Sequence, residues 1–146
     1  MKRKPRSQKE NIINAKDAFV MVIIGISVMA ITLYAFRRYL PDLKYARTIA
    51  FTTIVMLQLF NVLYFRSLNK SIFTKGLFSN KYLVAAVLFS VALQAAVLYT
   101  PLNSMFQVVP ISLADWGIVL GLSVIVLVVG EALKIVLYGK SAFSDG

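Results

Sequence analysis

Four long stretches with almost no charge dominate this chain. Residues 18–36, 48–65 and 82–100 contain no Lys, Arg, Asp or Glu, and residues 116–138 contain only Glu131 and Lys134, close to their end. A hydrocarbon core about 30 Å thick is crossed by roughly 20 residues of helix. Within it a helix satisfies its own backbone polar groups, which an open strand or loop cannot do. The pattern predicts an all-α membrane protein with four transmembrane helices over 18–36, 48–65, 82–100 and 116–138. A water-soluble four-helix bundle needs a polar face on every helix, and residues 19–26 offer none. The composition agrees: 59% hydrophobic and 15% charged, where soluble domains carry about 45–50% and about 25%.

The first stretch does not read as a signal peptide. Seventeen residues precede it, and Arg37 and Arg38 follow it in place of a small-x-small cleavage site. It is also longer than the usual h-region of about 7–15 residues. Pro41 and Asp42 lie in a short turn, residues 66–81 form a longer polar link with Asn69, Gly76 and Asn80 as breakers, and Pro101 and Pro110 bound the second turn. Ser112 reads as a helix N-cap with Asp115 three residues on, a capping-box spacing, and Trp116 stands where interfacial aromatics are expected. The partition is a basic tail (1–17), a membrane domain (18–138) and a short C-terminal tail (139–146).

The net charge is +10, from 16 Lys+Arg against 6 Asp+Glu. Four helices place the tail, the central link and the C-terminus on one side with twelve basic residues, against four (Arg37, Arg38, Lys44, Arg47) on the other. Cytoplasmic loops carry the Lys/Arg excess, so both termini are expected in the cytoplasm. The basic tail then meets an anionic leaflet, where each Lys or Arg contributes about 1 kcal/mol. Residues 1–10 have no interleaved aromatics for stacking bases, so lipid is the expected partner and nucleic acid is not.

Ionisable and amide groups inside a span need a reason. Glu131 and Lys134 share a face near the end of the last helix and can pair as an interfacial ion pair or tie to a neighbouring helix. Gln58 lies near the middle of the second helix with Asn61 one turn on, on the same face. Their carbonyl oxygens suit either a hard cation or interhelical hydrogen bonds. Gln94 reads as helix glue. Gly117 and Gly121 form a GxxxG pattern, which permits close helix approach. Catalytic signatures are missing. There is no Cys and no His, which excludes disulfides, thiolate zinc sites and histidine catalysis. Gly139-Lys140-Ser141 mimics the end of a phosphate-binding loop, but Lys134 occupies the position of its first glycine.

Several segments, in order, resemble the last four helices of calcium-type P-type ATPases. Met1-Lys-Arg-Lys-Pro-Arg6 resembles the cytoplasmic link that precedes them. The stretch from Ala46 to Thr53, then Gln58-Leu-Phe-Asn61 followed by Arg66-Ser67, resembles the family's eighth helix. Ser71-Ile-Phe73 and Gly76-Leu-Phe-Ser-Asn80 resemble the next link, and Leu93-Gln94, Leu98-Tyr99, Pro101, Leu113 and Asp115-Trp116 resemble the end of the ninth helix and the start of the tenth. Glu131 and Lys134 match the spacing of the family's ending. The resemblance implies a C-terminal four-helix membrane region that scaffolds the transport helices and lines one side of the cation site. Gln58 matches the ligand position of the eighth helix and is Gln, as in single-site pumps; Asn61 stands beside it as a second candidate metal ligand. Tyr64 stands where the family has Asn, and Gly130 precedes Glu131 where the family has Asp. For the intact family the resemblance implies calcium, magnesium and ATP, with the phosphorylated aspartate, the nucleotide site and the principal ligands on segments outside these residues. The chain by itself has no cofactor site and no expected ATPase activity; its expected partners are lipid and the remaining part of a P-type ATPase. The alternative is an autonomous small four-helix protein serving as an interaction or regulatory module. Either way the expected location is a membrane, multi-pass, with the cell membrane first.

Overall fold

The computed structural model describes residues 15–66 and 81–138. They form α1 (Ala15–Arg38), α2 (Leu43–Arg66), α3 (Lys81–Tyr99), the short α4 (Leu102–Phe106) and α5 (Leu113–Tyr138), with no strand among the described residues. Four of these helices are long and apolar enough to cross a membrane: Ala18–Arg38, Leu43–Tyr64, Lys81–Tyr99 and Leu113–Leu137. Residues 1–14, 67–80 and 139–146, which hold most of the basic tail, most of the central link and the C-terminal tail, lie outside the described residues.

α1, α2 and α5 are longer than their charge-free runs, whereas α3 matches its run in length; for α2 and α5 the reason is local. α2 begins at Leu43, not at residue 48, because the Asp42 carboxylate accepts the Tyr45 N–H at 3.1 Å and caps the first turn. Lys44 and Arg47 are exposed there; long basic side chains can reach the interface from inside a helix. α5 begins at Leu113, not at residue 116. Ser112 Oγ accepts the Asp115 N–H at 3.2 Å, which is the N-cap expected from the spacing. The second turn contains α4, entered through Pro101 and closed at Gln107, whose left-handed backbone (φ 52°) turns the chain away.

α2 is the hub. It packs on α5 and on α1, α1 also packs on α5, and α3 is attached through α2. Two apolar clusters fill the bundle. Ala35, Ile49, Met56, Leu98, Val108, Ile111 and Val119 fill the end that holds the two turns. Val20, Ile24, Leu57, Tyr64 and Val126 fill the other end, where α1 starts and α5 finishes. The outside is as apolar as the inside. Phe19, Val22, Ile26, Met29, Leu88, Phe89, Val128 and Val136 are all exposed. Water would penalise such a surface heavily, whereas lipid tails do not, and the soluble bundle is excluded. The protein is a multi-pass membrane protein.

Two contacts set the spacing of the helices. Tyr64 is fully buried, its ring lies over Gly130, and its hydroxyl donates to the Gly130 carbonyl at 3.1 Å. A Cβ at position 130 would stand 2.7 Å from Tyr64 Cε2. This is the close approach that requires glycine. Gly117 and Gly121 do not supply it: both are exposed, and a Cβ at either meets nothing within 4 Å. The GxxxG face therefore points away from the described bundle.

The second contact is a polar clasp at the turn end. The Asp115 carboxylate accepts from the hydroxyls of Tyr39, Tyr45 and Ser112. The Ser112 N–H donates to Tyr45 Oη at 3.3 Å. Trp116 Nε1 donates to Tyr99 Oη at 2.9 Å, and the Tyr99 hydroxyl donates to the Ile111 carbonyl at 2.6 Å. The Val109 N–H donates to Thr48 Oγ1 at 3.0 Å. One carboxylate thus gathers the end of α1, the start of α2 and the start of α5. Deeper in the bilayer, Gln94 Nε2 donates to Thr52 Oγ1 at 3.1 Å, tying α3 to α2. Burial, and then the neighbouring Asp115 carboxylate, raises Tyr39 above the usual phenol range.

Gly130→Ala should destabilise the protein by about 1–3 kcal/mol through overpacking, and Tyr64→Leu should recover most of that loss in the double variant; thermal unfolding in detergent reads both. Gln94→Leu and Thr52→Val, combined in a double-mutant cycle, should show a coupling of about 0.6 kcal/mol and not above about 1.7 kcal/mol. A group whose folded pKa is raised contributes stability below its unfolded value and loses it as pH rises through the folded one. The Tyr39 contribution should accordingly persist to about pH 10 and fade above it. Ultraviolet titration of the wild type against Tyr39→Phe should show the missing phenol titrating above the ordinary range.

Candidate functional site

The two amides of α2 do not share the face expected of them: three residues apart, they lie about 60° around a helix of 3.6 residues per turn, and the edge of the bundle runs between them. Gln58 is exposed, on the outward face with Ile54 and Val62. Asn61 is buried, and its Oδ1 has no hydrogen-bond partner. Thr53 Oγ1, two turns earlier on the inner stripe, is also buried and without a partner. α2 therefore carries one amide toward whatever lies outside the bundle and one toward the interior. Ca²⁺ takes about 6–8 oxygen ligands. Two neutral amide oxygens on different faces supply a small part of such a shell, and no cluster of three or more His, Cys, Asp or Glu residues occurs among the described residues.

The remaining candidate residues divide by position. Glu131 is buried next to Gly130, at the end where Tyr64 packs. The expected pairing of Glu131 with Lys134 lies outside what is described, because the Lys134 side chain is not. Gln94 is buried and bonded to Thr52. Gly117 and Gly121 face outward. The tyrosines that enclose Asp115 escaped the sequence reading: the capping spacing marks Asp115, but nothing in the spacing of Tyr39 and Tyr45 tells which carboxylate they reach. The Tyr64–Gly130 contact had a better signal. These are the two positions at which the chain departs from the resembled pattern near the ends of α2 and α5, and they touch.

Known proteins match these residues over nearly their full extent. The chain is 39% identical over 130 residues to the "Calcium-transporting ATPase" of Bacillus subtilis, covering 86% of this chain and 14% of that protein. It is 36% identical to "Calcium-transporting ATPase 1" of Bacillus cereus, covering 92% of this chain and 17% of that protein. It is 34% identical to "Calcium-transporting ATPase type 2C member 2" of Rattus norvegicus, covering 92% of this chain and 15% of that protein. The chain thus spans about one sixth of the length of these relatives, or somewhat less. The family described as "Cation transporting ATPase, C-terminus" matches residues 1–136. With that match and the four spanning helices, the chain belongs to the C-terminal membrane region family of the cation-transporting ATPases.

Proposed function

We propose that the chain serves as the C-terminal membrane portion of a calcium-transporting P-type ATPase, holding the transport helices in place and lining one side of the cation site. The observation that carries this reading is the outward position of Gln58. An uncharged amide on an otherwise apolar outer face of a spanning helix, between Ile54 and Val62, finds no hydrogen-bond partner in lipid tails. A neighbouring transport helix gives it one, and its carbonyl oxygen is available to a hard cation held mainly by that neighbour. Asn61 supports the same turn of α2 from inside. Glu131 anchors the far end of α5.

In this reading α1, α2 and α5 form the fixed wall, and the moving parts belong to the rest of the pump. Aspartyl phosphorylation, ATP and Mg²⁺ act there, and none of the work assigned to this chain needs a nucleophile or a general base. The absence of Cys and His fits that division. Both termini lie on the cytoplasmic side by the distribution of Lys and Arg.

A chimera tests the reading: the matching C-terminal segment of the Bacillus subtilis relative is replaced by this chain and calcium uptake into inverted vesicles is measured. ATP-driven uptake is expected. Gln58→Ala should raise the calcium concentration for half-saturation about three- to tenfold, equivalent to roughly 0.7–1.4 kcal/mol. A chimera that folds and inserts but takes up no calcium, or a Gln58→Ala variant identical to its parent, would overturn the proposal. The chain alone should show no vanadate-sensitive ATP hydrolysis.

A further inference from the structure

The turn end of the bundle carries four basic residues, Arg37, Arg38, Lys44 and Arg47, all exposed. It carries two described carboxylates, both engaged by other groups: Asp42 accepts the Tyr45 N–H, and Asp115 accepts from three hydroxyls. By the positive-inside pattern this is the side that should be poor in cations. The bundle therefore presents an uncompensated positive collar where membrane insertion does not call for one.

Beneath the collar is a cleft of about 220 Å³ between the first turns of α2 and the 100–112 connection, lined by Arg47, Phe51, Phe106, Gln107 and Val108. The Phe51 and Phe106 rings stack at 6.4 Å and form its apolar wall. Its depth in the bilayer can be read from its surroundings. The hydrogen-bonded pair Trp116 and Tyr99 sits at the same end, and such aromatics stand at the headgroup level. Arg47 lies four residues into α2, about 6 Å along its axis, and Phe51 about 6 Å further. The cation thus stands at the headgroup level and the rings stand at the edge of the hydrocarbon. Met105, next to Phe106 in sequence, is 78% exposed, and Leu113, at the start of α5, is 88% exposed, as suits side chains at this end that lie against acyl chains and not in water. The volume is below the roughly 300–1,000 Å³ that encloses a drug-sized ligand, and a headgroup whose tails stay outside needs no more.

We propose that this cleft binds the phosphate headgroup of an anionic phospholipid, with the Arg47 guanidinium on the phosphate oxygens, the Gln107 amide beside it, and Phe51 and Phe106 against the glycerol end of the acyl chains. Arginine suits the task because its planar fork can engage two phosphate oxygens at once. Net charge selects the lipid: the surplus of cations over carboxylates favours a headgroup that is itself negative over a zwitterionic one. A free anion would gain the guanidinium but nothing from the rings.

Native mass spectrometry of the detergent-purified chain tests this with added phosphatidylglycerol, phosphatidylcholine or inorganic phosphate. Phosphatidylglycerol should bind at least tenfold more tightly than phosphatidylcholine. Arg47→Gln should weaken it about tenfold, and Phe106→Ala, which keeps the charge, about threefold. Lys81→Gln, at the opposite end, should change nothing. Circular dichroism establishes that each variant is folded, and the two cleft variants give independent readings. Equal binding of the two lipids, wild-type binding by both cleft variants, or displacement by inorganic phosphate at concentrations similar to the lipid would overturn the proposal. The occupant in the native membrane is read by photo-crosslinking from p-benzoylphenylalanine at position 106. A lipid adduct supports the proposal; a crosslink to protein, including a second copy of the chain, overturns it.

Discussion

A peptide group in hydrocarbon finds no water to bond, and each one left unpaired costs several kcal/mol. That penalty dictates continuous helices wherever the chain lies in the bilayer, and it explains why α1, α2, α3 and α5 run through Ser, Thr, Asn and Gln without interruption. The hydroxyls adapt to it. Ser27, Ser90 and Ser123 each donate to the carbonyl four residues earlier, so they enter the span without seeking a partner. The hydrophobic effect then does little to bring the helices together, because lipid tails are as apolar as leucine. What holds this bundle is shape and a few polar bonds.

Those bonds are concentrated at its two ends. At one end Asp115 gathers two phenols and a serine, and Tyr99, Trp116 and Thr48 fasten the connection between α3 and α5 to the helices beneath. At the other, Tyr64 inserts over Gly130. Between them the apolar clusters supply close packing around α2. The result is a hub helix held on one side by α1 and α5 while its opposite stripe, with Gln58, is left uncovered by the described residues.

The chemistry of the resembled family illuminates a paired change. Where its pattern has Asn and Asp, this chain has Tyr64 and Gly130, and the structure puts the two in contact. A large ring replaces a small amide, and a residue without a side chain receives it. Each departure looks like a loss when read singly in the sequence; together they make a packed contact with a single hydrogen bond to backbone.

The number of spans, their order and the apolar exterior were legible in the sequence, because bilayer thickness converts directly into a count of uncharged residues. The capping of α5 by Ser112 was legible too, since a cap acts within one turn. Helix starts were less so: Lys44 and Arg47 break the charge-free run of α2, yet interfacial cations are compatible with helix. The relations that required the fold are those between residues distant in sequence. The GxxxG spacing marks small residues but not what they face, so Gly130 and not Gly117 or Gly121 makes the close approach. Gln58 and Asn61 share a stretch of sequence and part company in space, because a helix edge runs between positions 60° apart. Local periodicity determines what each segment of this protein becomes; only the rotation of each helix about its own axis, set by packing against its neighbours, decides which side chains meet.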